Sequence, residues 1–365
     1  MIHIFIGTKA QFIKMAPIML NLKDREIPYT FIDSGQHAKT VSDLILQFGL
    51  KKPDVFLRST GKNITTVCQG LRWTIHAISQ AILTPKYAFK KIFGNKKGIC
   101  LVHGDTLSTL IALFYAKRCG LKVAHIEAGL RSHNIFDPFP EEIVRLIAMR
   151  YSDLLFAPSK WAFENLCKMG LKDKAINVAA NTGLEAVQYA VKQGRATNSQ
   201  HSPYTVVTIH RIETIFSRSR MVMIIDLIRQ IQQNHKVMLV LHEPTRHQLH
   251  KFDLLSALTR NPGIEVISLL PYLEFVNLIE GADFVITDGG SIQEECYYLN
   301  KPCLIMRSKT ERIEGLGENA MLSRFDPIRI EQFLQIYPKL CQKSIPKNIQ
   351  PSLEIIEHLL PYVQQ

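Results

Sequence analysis

The chain has 365 residues, 46% of them hydrophobic and 21% charged, an ordinary globular composition at a length of about two domains. No run approaches the ~20 uninterrupted apolar residues of a membrane span, and seven scattered cysteines without a CxxC pair argue against a disulfide framework or a zinc knuckle and for reduced thiols in the cytoplasm. Lys and Arg exceed Asp and Glu by 44 − 32 = 12, yet the densest basic cluster, "KYAFKKIFGNKK" at 86–97, carries no helix-turn-helix, RNP or zinc pattern. It reads as a solvated patch, and no nucleic-acid partner is expected.

In chain order, short apolar runs bounded by Gly, Pro or Asn alternate with longer amphipathic ones. "MIHIFIGTKAQFIK" opens on a buried strand, Ile2–Ile6, rather than on a signal peptide. Further strands are expected at Tyr29–Asp33, Gly98–His103, Lys122–Ile126 and Asp153–Ala157. Six more follow at Ile176–Ala179, Thr205–Ile209, Lys236–Leu241, Gly263–Ser268, Asp283–Thr287 and Cys303–Met306. The intervening segments have helical length and period. Such alternation predicts parallel sheets covered by helices on both faces. Eleven strands exceed one mononucleotide-binding unit, so the reading is an α/β chain of two Rossmann-like domains, 1–174 and 175–350. A last helix within 351–365 is expected to return to the first.

In sheets of this kind ligands bind beyond the carboxyl ends of the strands, so the chemistry is sought in the loops that follow them. After the first strand comes "GTKAQFIKMAP", with Gly7 at the turn and Lys9 and Lys14 at the start of a helix, and no GxGxxG fingerprint. After 98–103 comes Asp105, which either caps the next helix or faces a substrate. After 122–126 comes Glu127 in "EAGLRS", then "DPFPEEIVR", in which Pro140 and the helix dipole alone could account for Glu141 and Glu142. Three carboxylates on strand-end loops of one domain are what general acid–base chemistry needs. The second half offers "TIHRIET" with His210, "LHEPTRH", and "TDGGSIQEE", whose Gly289 and Gly290 precede a helix start suited to a diphosphate. One turn into that helix Glu295 could accept hydrogen bonds from a ribose diol, and "SKTERIEG" places Arg312 on a further strand-end loop.

The ordered set GTKAQFIKMAP, SGQH, VHGDT, HIEAGLRS, PFPEE, THR, TDGGSIQEE, KPCLIMR and TER resembles the bacterial UDP-N-acetylglucosamine 2-epimerases across nearly the whole chain. The resemblance implies a GT-B-like architecture, two Rossmann-like domains flanking a cleft. It implies catalysis by Asp105, Glu127 and Glu141 with His210. Substrate contacts would come from Lys9, Lys14, Arg145, Phe275 (near the uracil), Gly289, Gly290, Ser291, Glu295 (on the ribose hydroxyls) and Arg312. A base would remove the C2 proton as UDP leaves C1, and a 2-acetamidoglucal would be reprotonated from its other face. The implied partners are a UDP-sugar substrate and a second copy in a homodimer. No cofactor or metal is called for.

The chain departs from the family pattern at several positions. GTRPE is replaced by Gly7–Gln11, so an arginine becomes Lys9 and an acid becomes Gln11; the second arginine of HRRE is Ile212; and Ser-Gly-Gly becomes Gly289–Ser291. After SGQH, where many members carry residues that help bind a second, activating substrate molecule, the chain reads Ala38-Lys39-Thr40, and with Ile212 these changes argue against such activation. They keep a hydrolysing epimerase, which releases N-acetylmannosamine and UDP, as an alternative, together with an epimerase of a modified hexosamine. A GT-B glycosyltransferase and a non-catalytic sugar-nucleotide sensor are the readings from other classes.

Overall fold

The computed structural model describes the chain except residues 37, 59–71, 73–74, 76–78, 80–82, 136–138, 195–202, 311, 342–348 and 364–365. His37 of SGQH, Cys68 and Glu311 of TER therefore lie outside the described residues. Contacts divide the chain into two compact units, residues 1–186 with 348–365, and residues 187–347. Each is built on its own parallel sheet, in keeping with the GT-B-like class. Among the described residues no helix is long and apolar enough to cross a membrane.

The first unit holds a seven-stranded sheet in the order β3-β2-β1-β4-β5-β6-β7. Its strands are β1 (Ile2–Ile6), β2 (Tyr29–Asp33), β3 (Val55–Phe56), β4 (Ile99–His103), β5 (Lys122–Ile126), β6 (Leu154–Ala157) and β7 (Ala175–Asn177). All neighbours pair in parallel, with Ile2 opposite both Tyr29 and Ile99. Helices α1 (Lys9–Asp24), α2 (Ala38–Phe48), α3 (Pro85–Phe93), α4 (Leu107–Arg118), α5 (Glu141–Tyr151) and α6 (Lys160–Lys168) follow the strands in turn, and α7 (Gly183–Gly194) begins in this unit and runs on into the second from Val187. β1 and β4 are buried at every position, as strands covered on both faces must be.

The second unit holds a six-stranded parallel sheet in the order β10-β9-β8-β11-β12-β13. Its strands are β8 (Tyr204–Thr208), β9 (Lys236–Leu241), β10 (Ile264–Ser268), β11 (Phe284–Thr287), β12 (Cys303–Ile305) and β13 (Ala320–Leu322). Its helices are α8 (Ile212–Ile215), α9 (Arg218–Ile231), α10 (Glu243–Lys251), α11 (Leu255–Thr259), α12 (Tyr272–Gly281), α13 (Gly290–Tyr298) and α14 (Pro327–Ile336). Within each sheet the strand order reverses beside the first strand, between β1 and β4 and between β8 and β11. Loops leave those two strand ends in opposite directions and open a crevice at each reversal.

The last helix, α15 (Pro351–Leu359), packs on α1 of the first unit. Ile355, Ile356 and Leu359 are fully buried there, and the Asn21 amide donates to the Ser352 hydroxyl at 2.9 Å. Ser352 in turn donates its N–H and hydroxyl to the two carboxylate oxygens of Glu185. Against the sequence reading, β7 is a strand of the first sheet and stops at Asn177. Ala179 turns into the left-handed region at φ 64°, which ends the extended run early. Strands β3 and β13, two and three residues long, are too short for an alternating pattern to reveal them.

Two side chains join the strand ends of the first unit. Thr8 caps α1, and Gln11 completes the reciprocal capping box by accepting the Gly7 and Thr8 N–H groups on its Oε1 at 2.8 and 3.1 Å. Its Nε2 then donates to the His103 carbonyl at 2.7 Å and to the Thr106 and Thr109 hydroxyls. His125, fully inside, meets the Gly104 carbonyl through Nε2 at 2.8 Å, and burial pushes its pKa down to about 4.

Two expectations follow. Gln11→Glu puts an acceptor-only carboxylate against the His103 carbonyl, so the first unit should lose about 2 kcal/mol or more, read as a lower urea midpoint. A histidine whose native pKa lies below its unfolded value of 6.5 takes its proton more readily in the unfolded chain. His125 therefore destabilises the fold as pH drops from 6.5 toward 4, by about 2 kcal/mol at pH 5. Urea midpoints at pH 7 and pH 5 should differ less in His125→Leu than in the unsubstituted chain.

Candidate functional site

In the first unit the polar side chains gather where β1, β4 and β5 end. Glu127, directly after β5, has φ 65°, a left-handed conformation that costs a side-chain-bearing residue about 1–2 kcal/mol. Its side chain is almost wholly buried. Lys14 Nζ lies 2.7 Å from Oε1, the Asn181 amide donates to the same oxygen at 2.8 Å, and His103 Nε2 approaches Oε2 at 3.4 Å. Lys14, expected near a diphosphate, meets a carboxylate of its own unit.

Asp105 is not the helix cap that its position allows. Thr106 is the N-cap residue of α4, and Asp105 instead pairs through Oδ2 with Arg145 Nη2 at 2.5 Å. Arg145 projects from α5 and also reaches Glu142 at 3.4 Å. Fully buried Glu142 accepts from Arg131 Nε and from the Ser132 N–H. These donors draw its pKa below the usual carboxylate range despite the opposing effect of burial. Glu142 is therefore the anchor of this chain of charges. Glu141, one residue earlier and half-buried at the start of α5, turns a buried Oε2 that has no hydrogen-bond partner. The three expected carboxylates accordingly stand in three settings: Asp105 on a guanidinium, Glu127 on an ammonium and an amide, Glu141 with one oxygen unengaged.

In the second unit the corresponding place is the end of β8 and β11. Asp288, fully buried, accepts the backbone N–H groups of His210 and Arg211, both at 3.0 Å, and so fixes the loop after β8. The His210 ring stacks on His242 at 4.9 Å between centroids. Burial lowers its pKa against the pull of Asp288, which keeps the imidazole neutral at pH 7. That ring also explains a glycine: a Cβ at Gly289 would sit 2.7 Å from His210 Cε1. Gly289 is the N-cap of α13 with no side-chain cap bond, and the first backbone bond of this helix is Gln293 N–H to the Gly289 carbonyl. The amides of Gly290, Ser291 and Ile292 thus lie in the first turn, where an α-helix supplies no partner of its own.

Ser291 is exposed, Glu295 half-buried one turn into α13, and Phe275 on α12 half-buried against the core below. Lys9 opens α1, half-exposed. Arg312 Nη1 is held at 2.9 Å by Glu294, which also accepts from the Tyr298 hydroxyl. Its loop is stapled by Gln293, whose amide donates to the carbonyls of Arg312 and Glu314 while its oxygen accepts from Thr310. The sequence reading missed Gln11, His103, Asn181, Asp288, Gln293 and Glu294. All six are polar and lie at or after a strand end, a signal that many residues share, and the partners that set them apart are not visible in the sequence.

Known proteins are similar to this chain. A family model described as UDP-N-acetylglucosamine 2-epimerase matches residues 21–338. The UDP-N-acetylglucosamine 2-epimerase of Methanococcus maripaludis is 32% identical over 90% of this chain and 89% of its own length. The UDP-2,3-diacetamido-2,3-dideoxy-D-glucuronate 2-epimerase of Pseudomonas aeruginosa is 31% identical over 85% of this chain and 84% of its own. The crystal structure of the Methanocaldococcus jannaschii UDP-GlcNAc 2-epimerase, in complex with UDP-GlcNAc and UDP, superposes with a TM-score of 0.82 at 27% identity, covering 99% of both chains. This chain belongs to the UDP-N-acetylglucosamine 2-epimerase family.

Proposed function

We propose that the chain interconverts UDP-N-acetylglucosamine and UDP-N-acetylmannosamine. The C2–H bond breaks to a base, and the C1–oxygen bond breaks to release UDP, giving a 2-acetamidoglucal. UDP then returns to C1 while C2 takes a proton on its other face. The observation that carries this reading is the three carboxylates after β4, β5 and at the start of α5, in a chain of this family. Their different surroundings suit different tasks, as acid–base pairs require. Glu141, with an oxygen not yet engaged, is assigned a direct exchange of protons with the sugar. Asp105 and Glu127, each tied to a cation, act in the same region.

In the second unit the first-turn amides of α13 at Gly290 and Ser291, with neutral His210 as a donor, receive the diphosphate, whose charge grows as it leaves C1. Lys9, at the start of α1, is kept as a substrate-binding residue of the first unit. Glu295 takes the ribose hydroxyls and Phe275 the uracil. Arg312 and Arg145 serve by holding Glu294 and Asp105 in place. We assign the enzyme to the cytoplasm as a homodimer, without cofactor. The similarity to the Pseudomonas aeruginosa enzyme, which acts on a diacetamido uronate, keeps a modified hexosamine as a second substrate to assay.

Incubation with UDP-N-acetylglucosamine in D₂O, followed by NMR, tests the reading. Deuterium should enter at C2 as UDP-N-acetylmannosamine appears. Free N-acetylmannosamine with UDP would make the enzyme a hydrolysing one, and no exchange at C2 with either sugar nucleotide would refute epimerisation. Glu141→Gln should slow exchange by ~10²–10⁴-fold. Gly289→Ala should push the His210 ring away and weaken UDP binding by about tenfold, ~1.4 kcal/mol by calorimetric titration, with the melting temperature little changed.

A further inference from the structure

We propose that Asn181 and Thr182, which precede α7, are positioning residues that decide which oxygen of Glu127 meets the sugar; the proposal rests on the epimerase reading above. The Asn181 side chain is oriented by its own contacts. Its Oδ1 accepts the Gly183 N–H at 3.2 Å, which turns its Nδ2 to Glu127 Oε1 at 2.8 Å. The Thr182 hydroxyl donates to the Lys14 carbonyl, and the Lys14 ammonium lies 2.7 Å from that same Oε1. Lys14 is thereby held at its backbone by Thr182 and at its side-chain end by Glu127 Oε1, the oxygen it shares with Asn181. All four are buried, with Asn181 4% and Thr182 1% exposed.

A carboxylate oxygen accepts about two hydrogen bonds, and Oε1 already has two strong donors. Oε2 lies on the other side, facing His103 at 3.4 Å and 3.6 Å from where a Cβ on Gly104 would stand. Gly104 itself is left-handed at φ 64° and sets no side chain against Oε2. The geometry makes Oε2 the oxygen that handles the proton and Oε1 the one that is tied down. The charged and titratable groups around Glu127 are Lys14 of α1, His103 of β4, His125 of β5 and, more distantly through His125, Arg145 of α5.

The test compares Asn181→Asp, Asn181→Ala and Thr182→Val with the unsubstituted enzyme, reading kcat, KM, the kcat–pH profile and melting temperature. Asn181→Asp keeps the shape and sets a second negative charge beside Oε1. It should lower kcat by about 100-fold with KM changed less than about threefold. The acid limb of the profile should move up by about one pH unit, because a like charge favours the protonated form of Glu127. Asn181→Ala should cost about tenfold in kcat and leave the limb nearer its place. If Asn181→Asp does not fold, Asn181→Ala and Thr182→Val carry the comparison through the split between kcat and KM. A lower melting temperature with kcat, KM and pH limb unchanged in the folded variants would overturn the clasp and leave the epimerase reading standing. An unsubstituted chain that exchanges no deuterium at C2 would overturn both.

Discussion

A parallel strand that ends at the rim of a sheet leaves backbone donors and acceptors that no neighbouring strand can take up, and a buried polar group without a partner is costly. This chain answers that constraint with side chains. Gln11 takes the Gly7 and Thr8 N–H groups and the His103 carbonyl, and His125 takes the Gly104 carbonyl. Asp288 takes the His210 and Arg211 N–H groups, and Gln293 takes the carbonyls of Arg312 and Glu314. These bonds hold still the loops that carry Asp105, Glu127, His210 and Gly289. Rigid support of this kind is what lets a few polar groups act on a substrate at fixed distances.

The same economy governs charge. Lys14, Arg145 and Arg312, which the resemblance assigns to the substrate, are each matched to a carboxylate of their own unit, with contacts of 2.7, 2.5 and 2.9 Å. Such pairs lose hydration on both partners, so their worth lies more in orientation than in net stability. After β8 and β11 the helix amides of α13 and a neutral imidazole offer an anion hydrogen-bond donors, beside the Arg211 guanidinium and the buried Asp288 carboxylate.

Most of the architecture was legible. Alternating apolar runs located β1, β2, β5 and β9 at their observed bounds, and the Gly-Gly before α13 marked a helix start. Strand-end position pointed to Asp105, Glu127 and His210. What could not be read was partnership. Asp105 as cap or ligand is undecidable until Arg145, forty residues away in sequence, is brought against it by α5. Gln11 looks like a lost acid and proves to be a donor where a carboxylate would have none. Asn181 and Thr182 fell in a stretch read as a domain boundary, because a polar interruption of the strand–helix rhythm looks the same whether it links two domains or clasps a buried ion pair.

The return of α15 to α1 has a consequence for how the chain is made. The second unit is one uninterrupted segment, whereas the first is composed of both extremities. During synthesis the α1 surface that receives Ile355, Ile356 and Leu359 stays uncovered until α15 has been made. A chain cut short before residue 350 would carry that apolar surface permanently, and quality-control proteases would meet it as an unfinished product.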